Sequence, residues 1–237
     1  MPLAMIGSGL VLFAHVPKCA GTSVEQYLAA AFGPLAFCDS GFNRLPPRRR
    51  WSKTSPQHAD AATLQRLFPP GFLRASFAVV RHPVPRMVSV FRFQRDIERK
   101  IPPETRFEDW LRAVVMPPRK PWAFDNHIRP MVDMVPEDAV VFRLEDGWDP
   151  VIDWLQQLCG PDRILPRAMP ERNVLERRLA FERRSAPPVQ PSPEARELIA
   201  QAHAADFDRF GYGAGATDAQ RDTLGAGSSA SRRQTPP

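Results

Sequence analysis

At 237 residues, 43% apolar and 24% charged, the chain has the length and balance of a soluble globular protein able to bury a core without disulfides or structural metals. A formal net charge of +6 and a pI of about 9.8 favour anionic partners: nucleotides, sulfated or phosphorylated ligands, nucleic acid or an anionic membrane. Cys19, Cys38 and Cys159 form no CxxC pair and have no metal-ligand spacing, which excludes a disulfide scaffold and points to reduced thiols in the cytoplasm.

The N-terminus, MPLAMIGSGL, lacks a basic region before its apolar residues, so no signal peptide is read, and it runs straight into a first strand at Leu10–Val16. A helix from about Ser23 to Phe32 follows, with Val24, Tyr27, Leu28 and Ala31 on one face and Gly33-Pro34 as its stop. Leu35 to Cys38 reads as a short second strand, and residues 41–57 as a basic loop. A helix over Asp60 to Phe68 stops at Pro69-Pro70-Gly71. SFAVV (76–80) is a buried strand, followed by RHPVPR and a helix from about Pro85 to Arg99. Phe107 to Val115 is a further helix. Beyond the Pro-rich break MPPRKPW and the polar DNHIRPM, AVVFRL (139–144) is a strand and DPVIDWLQQL a helix. Ser192-Pro193-Glu194 opens a helix running to about Arg209, with Ser as cap, Pro in the first position and Glu favouring the dipole. Residues 214–237 lose their large apolar side chains and read as a disordered tail. No apolar run approaches the roughly 18 residues that span a bilayer. Strands alternating with helices predict one α/β domain over 1–213, with a mainly parallel sheet and a ligand site at the carboxyl ends of its strands.

Two turns on that edge carry chemistry. In HVPKCAGTS a helix N-terminus points its free N–H groups at the sheet edge, Lys18 adds a charge, Gly21 lets the backbone approach, and Thr22 and Ser23 offer hydroxyls. The pattern GxxxxGK[ST] is absent. The same residues also read as a capping box (Thr22 with Glu25, or Ser23 with Gln26) beside a solvated lysine. RHPVPRMVSVF repeats the layout, with Arg81 at a strand end and Ser89 in the following helix. Taken singly, Arg81 also reads as an acid's partner and Ser89 as a packing residue.

As a pair, about sixty residues apart, HVPKCAGTS resembles the 5′-phosphosulfate loop and RHPVPRMVSVF the 3′-phosphate element of the Golgi-type carbohydrate sulfotransferases. The resemblance extends over about residues 10–213, including FRLED and DFDRFGYG, and in lacking an anchor and a disulfide set the chain is similar to a bacterial relative. It implies a P-loop NTPase-like three-layer α/β fold and 3′-phosphoadenosine 5′-phosphosulfate (PAPS) as sulfuryl donor. By that match Lys18, Cys19, Gly21, Thr22 and Ser23 take the 5′-phosphosulfate, and Arg81 and Ser89 the 3′-phosphate. Lys18 would neutralise the bridging oxygen as its bond breaks.

The family often places a His or an acid near His58, which makes His58 the expected general base, with His127 as its rival. His82, beside Arg81 and before a proline, reads as shaping the turn. Asn126, His127 and Arg129 either contact substrate or tie a loop together. Glu145 either orients the base or Lys18, or caps the next helix. RLPPRRR (44–50) is a solvated basic loop or, second, a docking patch for an anionic acceptor. The expected reaction is sulfuryl transfer to a hydroxyl of a carbohydrate or small metabolite, with no metal, no nucleic acid and no membrane span. The alternatives are a non-catalytic PAPS- or polyanion-binding module and a P-loop kinase-like enzyme.

Overall fold

The computed structural model describes residues 1–115, 122–170 and 188–213; the expected tail at 214–237 lies outside them. Among the described residues a four-stranded sheet runs in the order β1 (Leu3–Ile6), β2 (Gly9–Ala14), β3 (Ala75–Val80) and β4 (Val140–Arg143). Strands β2, β3 and β4 are parallel, with Ala14 opposite Ala78 and Val80 opposite Arg143. Strand β1 pairs antiparallel with β2, Leu3 opposite Leu12.

That first strand is absent from the sequence reading. LAMI is only four residues long, too short for a readable alternation, and a two-residue turn, Gly7-Ser8, joins it to β2. Gly7 has φ +60°, the left-handed conformation a tight hairpin needs. The second strand starts one residue before, and ends two residues before, the predicted span, which leaves His15 and Val16 in the turn that follows. Leu35 to Cys38 does not form a strand; Ala36 makes one bridge to Leu3.

Alternation along each strand divides the core. Ala4, Ile6, Val11, Phe13, Phe77 and Val79 face one side and pack on Val24, Tyr27 and Leu28 of α1 (Gly21–Phe32) and Val151, Ile152 and Leu155 of α5 (Asp149–Cys159). Leu3 and Leu12 face the other side against Leu64 of α2 (Ala61–Leu67). Ala14, Ala78 and Val80 meet Met131, Met134, Val135 and Phe210 there. The sheet is therefore covered on both faces, the environment a parallel sheet requires.

A separate helical cluster joins α3 (Pro83–Arg92), α4 (Phe107–Val115) and α6 (Pro193–Ala202) through Met87, Val90, Phe91, Trp110, Leu111 and Ile199. Helix α3 does not continue to Arg99 as an α-helix. Phe93–Ile97 forms a wider π turn closed by Glu98 N–H to Phe93 O at 2.9 Å. The last helix is also divided: α6 begins at the predicted Ser192 cap, whose hydroxyl accepts from Ala195 N–H, and α7 (Ala204–Phe210) starts after a break at His203. His203 Nδ1 and the N–H groups of Met131 and Val132 all converge on Asp206. This carboxylate fastens α7 to the loop that carries the 125–131 segment. No helix among the described residues is long and apolar enough to cross a membrane.

Candidate active site

Because β2 and β3 are adjacent and parallel, PKCAGTS and RHPVPR leave the sheet side by side at its carboxyl edge. One side chain joins them. Arg86, fully buried in α3, donates Nε–H to Pro17 O at 3.2 Å and its Nη2 to the carbonyls of His127 and Arg129 at 3.1 and 2.8 Å. The first turn, the second turn and the 127–129 segment thus share one guanidinium.

The first turn is strained. Lys18 and Ala20 have φ of 68° and 60°, an uncommon state for residues with a Cβ. Ala20 is the N-cap of α1, and no side chain caps it. Both capping-box readings fail because the helix starts at Gly21, which leaves Thr22 and Ser23 inside its first turn and not at the cap, and Glu25 instead accepts from His15 Nδ1 at 2.6 Å. The uncapped positive end of α1 therefore faces the sheet edge. Lys18 Nζ lies 3.9 Å from the centroid of Phe93, the residue that opens the π turn. Cys19 is fully buried, with its thiol near Met131 and pushed up to about 12 by burial, so only its backbone can meet a ligand. Thr22 is half-buried and Ser23 buried.

Gly21 has a requirement that its sequence context does not reveal. A Cβ built there overlaps Nε2 and Cδ2 of the His15 imidazole. His15 stacks on Phe13 and lies edge-on to His58, with ring centroids 4.7 Å apart. Gly21→Ala is expected to force the imidazole out of its slot and cost about 1–3 kcal/mol by overpacking, read as a lowered urea midpoint.

His58 stands just before α2. Its Nδ1 lies 2.9 Å from Asp125 Oδ2, and the same carboxylate accepts from Ser55 N–H at 2.6 Å, Ser55 Oγ at 2.9 Å and Asn43 Nδ2 at 3.1 Å. Burial works to raise the Asp125 carboxyl, but the hydrogen bonds of His58, Ser55 and Asn43 and the His58 charge outweigh it and hold it well below the usual range. An ionised Asp125 fixes the Nδ1–H tautomer of His58 and leaves the Nε2 lone pair outside the pair. Delivering Asp125 has a conformational cost: Phe124, Asp125 and Asn126 are all left-handed, at φ 52°, 58° and 63°. Asn126 then secures the turn by donating Nδ2–H to His58 O at 2.7 Å.

His127 is buried, 5.2 Å from His58 and 5.5 Å from Phe93 by ring centroids. Desolvation first, then the charges of His58, Lys18 and Arg86, lower its proton affinity well below that of a free imidazole. The contacts close a circuit: Lys18 on Phe93, Phe93 on His127, His127 on His58, His58 on His15, and His15 over Gly21. Lys18, Gly21, His58 and His127 are thereby linked in one continuous run of contacts, and Asn126 joins it through the His58 carbonyl. Among the described residues, His58, Asp125 and His127 also gather donor atoms closely enough to hold a metal, all within 4.8 Å of one another.

The remaining predicted residues divide. Arg81 closes β3 at the adjoining edge, near enough for its charge to act on Cys19, and Ser89 lies half-buried about two turns into α3. Arg129 turns away, pairing with Asp60 at 2.6 Å and Asp133 at 3.3 Å. Glu145 accepts from His82 N–H at 2.8 Å and Tyr212 O–H at 2.9 Å, which ties the second turn to the closing helix. His82 caps α3 through Nδ1, accepting from Val84 N–H, with its ring against Phe207 and Tyr212. In RLPPRRR, Arg50 is used locally, bonding Leu45 O and Asn43 O, while Arg48 and Arg49 are exposed.

Buried neutral histidine makes stability pH-dependent. Burial lowers His15 to about 4, partly offset by Glu25, against 6.5 for a free imidazole. Between those values the unfolded chain binds a proton that the folded chain refuses, so stability must fall as pH drops from about 6.5 to about 4. The expected loss from His15 is about 3 kcal/mol, and His127 adds to it with the same sign. Urea unfolding across that window should show the slope, and His15→Gln should flatten it.

No curated protein and no solved structure matches the chain. The model of the sulfotransferase family matches residues 3–213, which covers both sheet-edge turns, the His58–Asp125 pair and the closing helix. With that match spanning most of its length, the chain belongs to the sulfotransferase family.

Proposed function

We propose that the protein moves a sulfuryl group from PAPS to an acceptor hydroxyl, on a carbohydrate or small metabolite, within one P-loop-like domain over residues 1–213. The observation that carries this reading is the circuit from Lys18 through Phe93, His127 and His58 to His15 and Gly21. It links a cation and a helix N-terminus, through Phe93, His127 and His15, to an imidazole paired to a carboxylate. Sulfuryl transfer needs these two things together: positive charge on the leaving side and a proton acceptor on the attacking side.

In this reading Lys18, the Cys19–Gly21 backbone and the Thr22 and Ser23 hydroxyls receive the 5′-phosphosulfate. Arg81 and Ser89 receive the 3′-phosphate across the shared edge. His58 Nε2 takes the proton of the acceptor hydroxyl as its oxygen bonds to sulfur. The bond from sulfur to the bridging oxygen breaks, and 3′,5′-ADP leaves with the electron pair, its new charge met by Lys18. Asp125 steadies the imidazolium until it gives its proton to solvent.

His127 is the poorer base, because its burial and the nearby charges of Lys18 and Arg86 oppose the protonated state a base must reach. It serves instead as a wall of the site. Asn126 holds the turn, and Arg129 and Glu145 support the two loops from behind.

The test is incubation of the purified protein with PAPS and a panel of hydroxyl acceptors. Stoichiometric release of 3′,5′-ADP with a sulfated product supports the assignment. Binding of neither PAPS nor 3′,5′-ADP removes it.

A further inference from the structure

His58, Asp125 and His127 place one imidazole nitrogen each and a carboxylate oxygen within 4.8 Å of one another. A zinc ion with bonds of about 2.0–2.1 Å spaces its ligands by about 3.4 Å, a difference that side-chain rotation can close. His127 is 7% exposed, and its Nδ1 is a buried polar atom with no hydrogen-bond partner. Buried polar atoms are normally satisfied, so an orphan nitrogen on one of the three clustered side chains marks a ring with bonding capacity unused by the protein. Two neutral nitrogen donors and a single carboxylate suit zinc and its first-row neighbours and poorly suit magnesium or calcium, which seek several oxygens.

We propose that His58, Asp125 and His127 form a zinc-binding site that switches the enzyme off. Either mode of ligation removes the base. If Nε2 of His58 binds the metal, its lone pair is used; if Nδ1 binds, the neutral ring carries its proton on Nε2 and has no lone pair to offer there. The inhibitory consequence rests on the sulfuryl-transfer reading given above, whereas the metal site itself does not.

The experiment uses the intact chain, freed of metal by chelation and titrated with cobalt(II) as a spectroscopic stand-in for zinc. One equivalent should bind and give the strong visible absorption of a low-coordinate cobalt ion. No thiolate-to-cobalt charge-transfer band should accompany it, since Cys19, Cys38 and Cys159 take no part. Zinc should displace cobalt, and magnesium should not. His127→Ala should weaken binding by about tenfold or more, because even the partners of metal ligands are typically worth that much. The spectrum of the unaltered protein stands as evidence whether or not that variant folds. No binding at one equivalent, a thiolate band, or equal competition by magnesium overturns the site. Titration of 3′,5′-ADP into the same sample separates the two readings. Cobalt binding without nucleotide binding keeps the metal site and defeats the donor assignment; nucleotide binding without cobalt binding defeats the metal site alone.

Discussion

Lys18→Ala is expected to reduce sulfuryl transfer by about 10²–10³-fold, the usual effect of removing one group that meets charge developing in a transition state. Its ammonium is held on the face of Phe93, and that ring belongs to the π turn ending α3, so its position does not depend on solvent. The strained φ of 68° is retained by alanine, which is left-handed in this same loop at Ala20. The variant should therefore fold, and its loss should reside in turnover. Single-turnover assays with PAPS, alongside thermal unfolding, would show it. Unchanged turnover in a folded Lys18→Ala protein would detach this loop from the chemistry.

His58→Ala should lower kcat by about 10²–10⁴-fold, the range for loss of a positioned general base. The affinity for 3′,5′-ADP should stay unchanged, since His58 faces the acceptor side in the proposed arrangement. The separation is informative because a collapse of the site would harm both quantities. Asp125→Asn should give a smaller loss of kcat in the same direction: the amide can still accept from the Nδ1–H of His58, but it cannot balance the imidazolium. If His127→Gln proved as damaging to kcat as His58→Ala, with the nucleotide still bound, the roles of the two histidines would be exchanged.

Much of the sheet edge was legible because its determinants are local. Apolar runs at Val11–Ala14 and Ser76–Val80, each followed by a basic turn and a helical stripe, specify strand, turn and helix from neighbouring residues alone. Parallel pairing then places the two turns together. The short β1 escaped because four residues give no periodicity to read, and only the Gly7-Ser8 turn betrays it.

The heart of the candidate site was less legible because it is assembled over long range. Asp125 lies 67 residues from His58 and reaches it through three successive left-handed residues, one of them Phe124, a conformation no local preference favours. His15 was read as the interior of a strand. Its pairing with Glu25 and its seat over Gly21 emerge only once α1 folds back along the sheet. In sequence the glycine's bareness suggests only ligand approach, whereas His15 already demands it. Arg86 carried no signal either, since a buried arginine whose partners are three carbonyls leaves no charge partner to find in the sequence.

The most direct test of the account is calorimetric titration of 3′,5′-ADP and of 5′-AMP into the protein and into Arg81→Ala. If two neighbouring strand ends hold the two ends of one nucleotide, the protein should bind 3′,5′-ADP at least about tenfold more tightly than 5′-AMP, as a charge-assisted contact of roughly 1.5–3 kcal/mol requires. Arg81→Ala should erase most of that preference while binding 5′-AMP as before. Equal affinity for the two nucleotides, or an undiminished preference in Arg81→Ala, would contradict it.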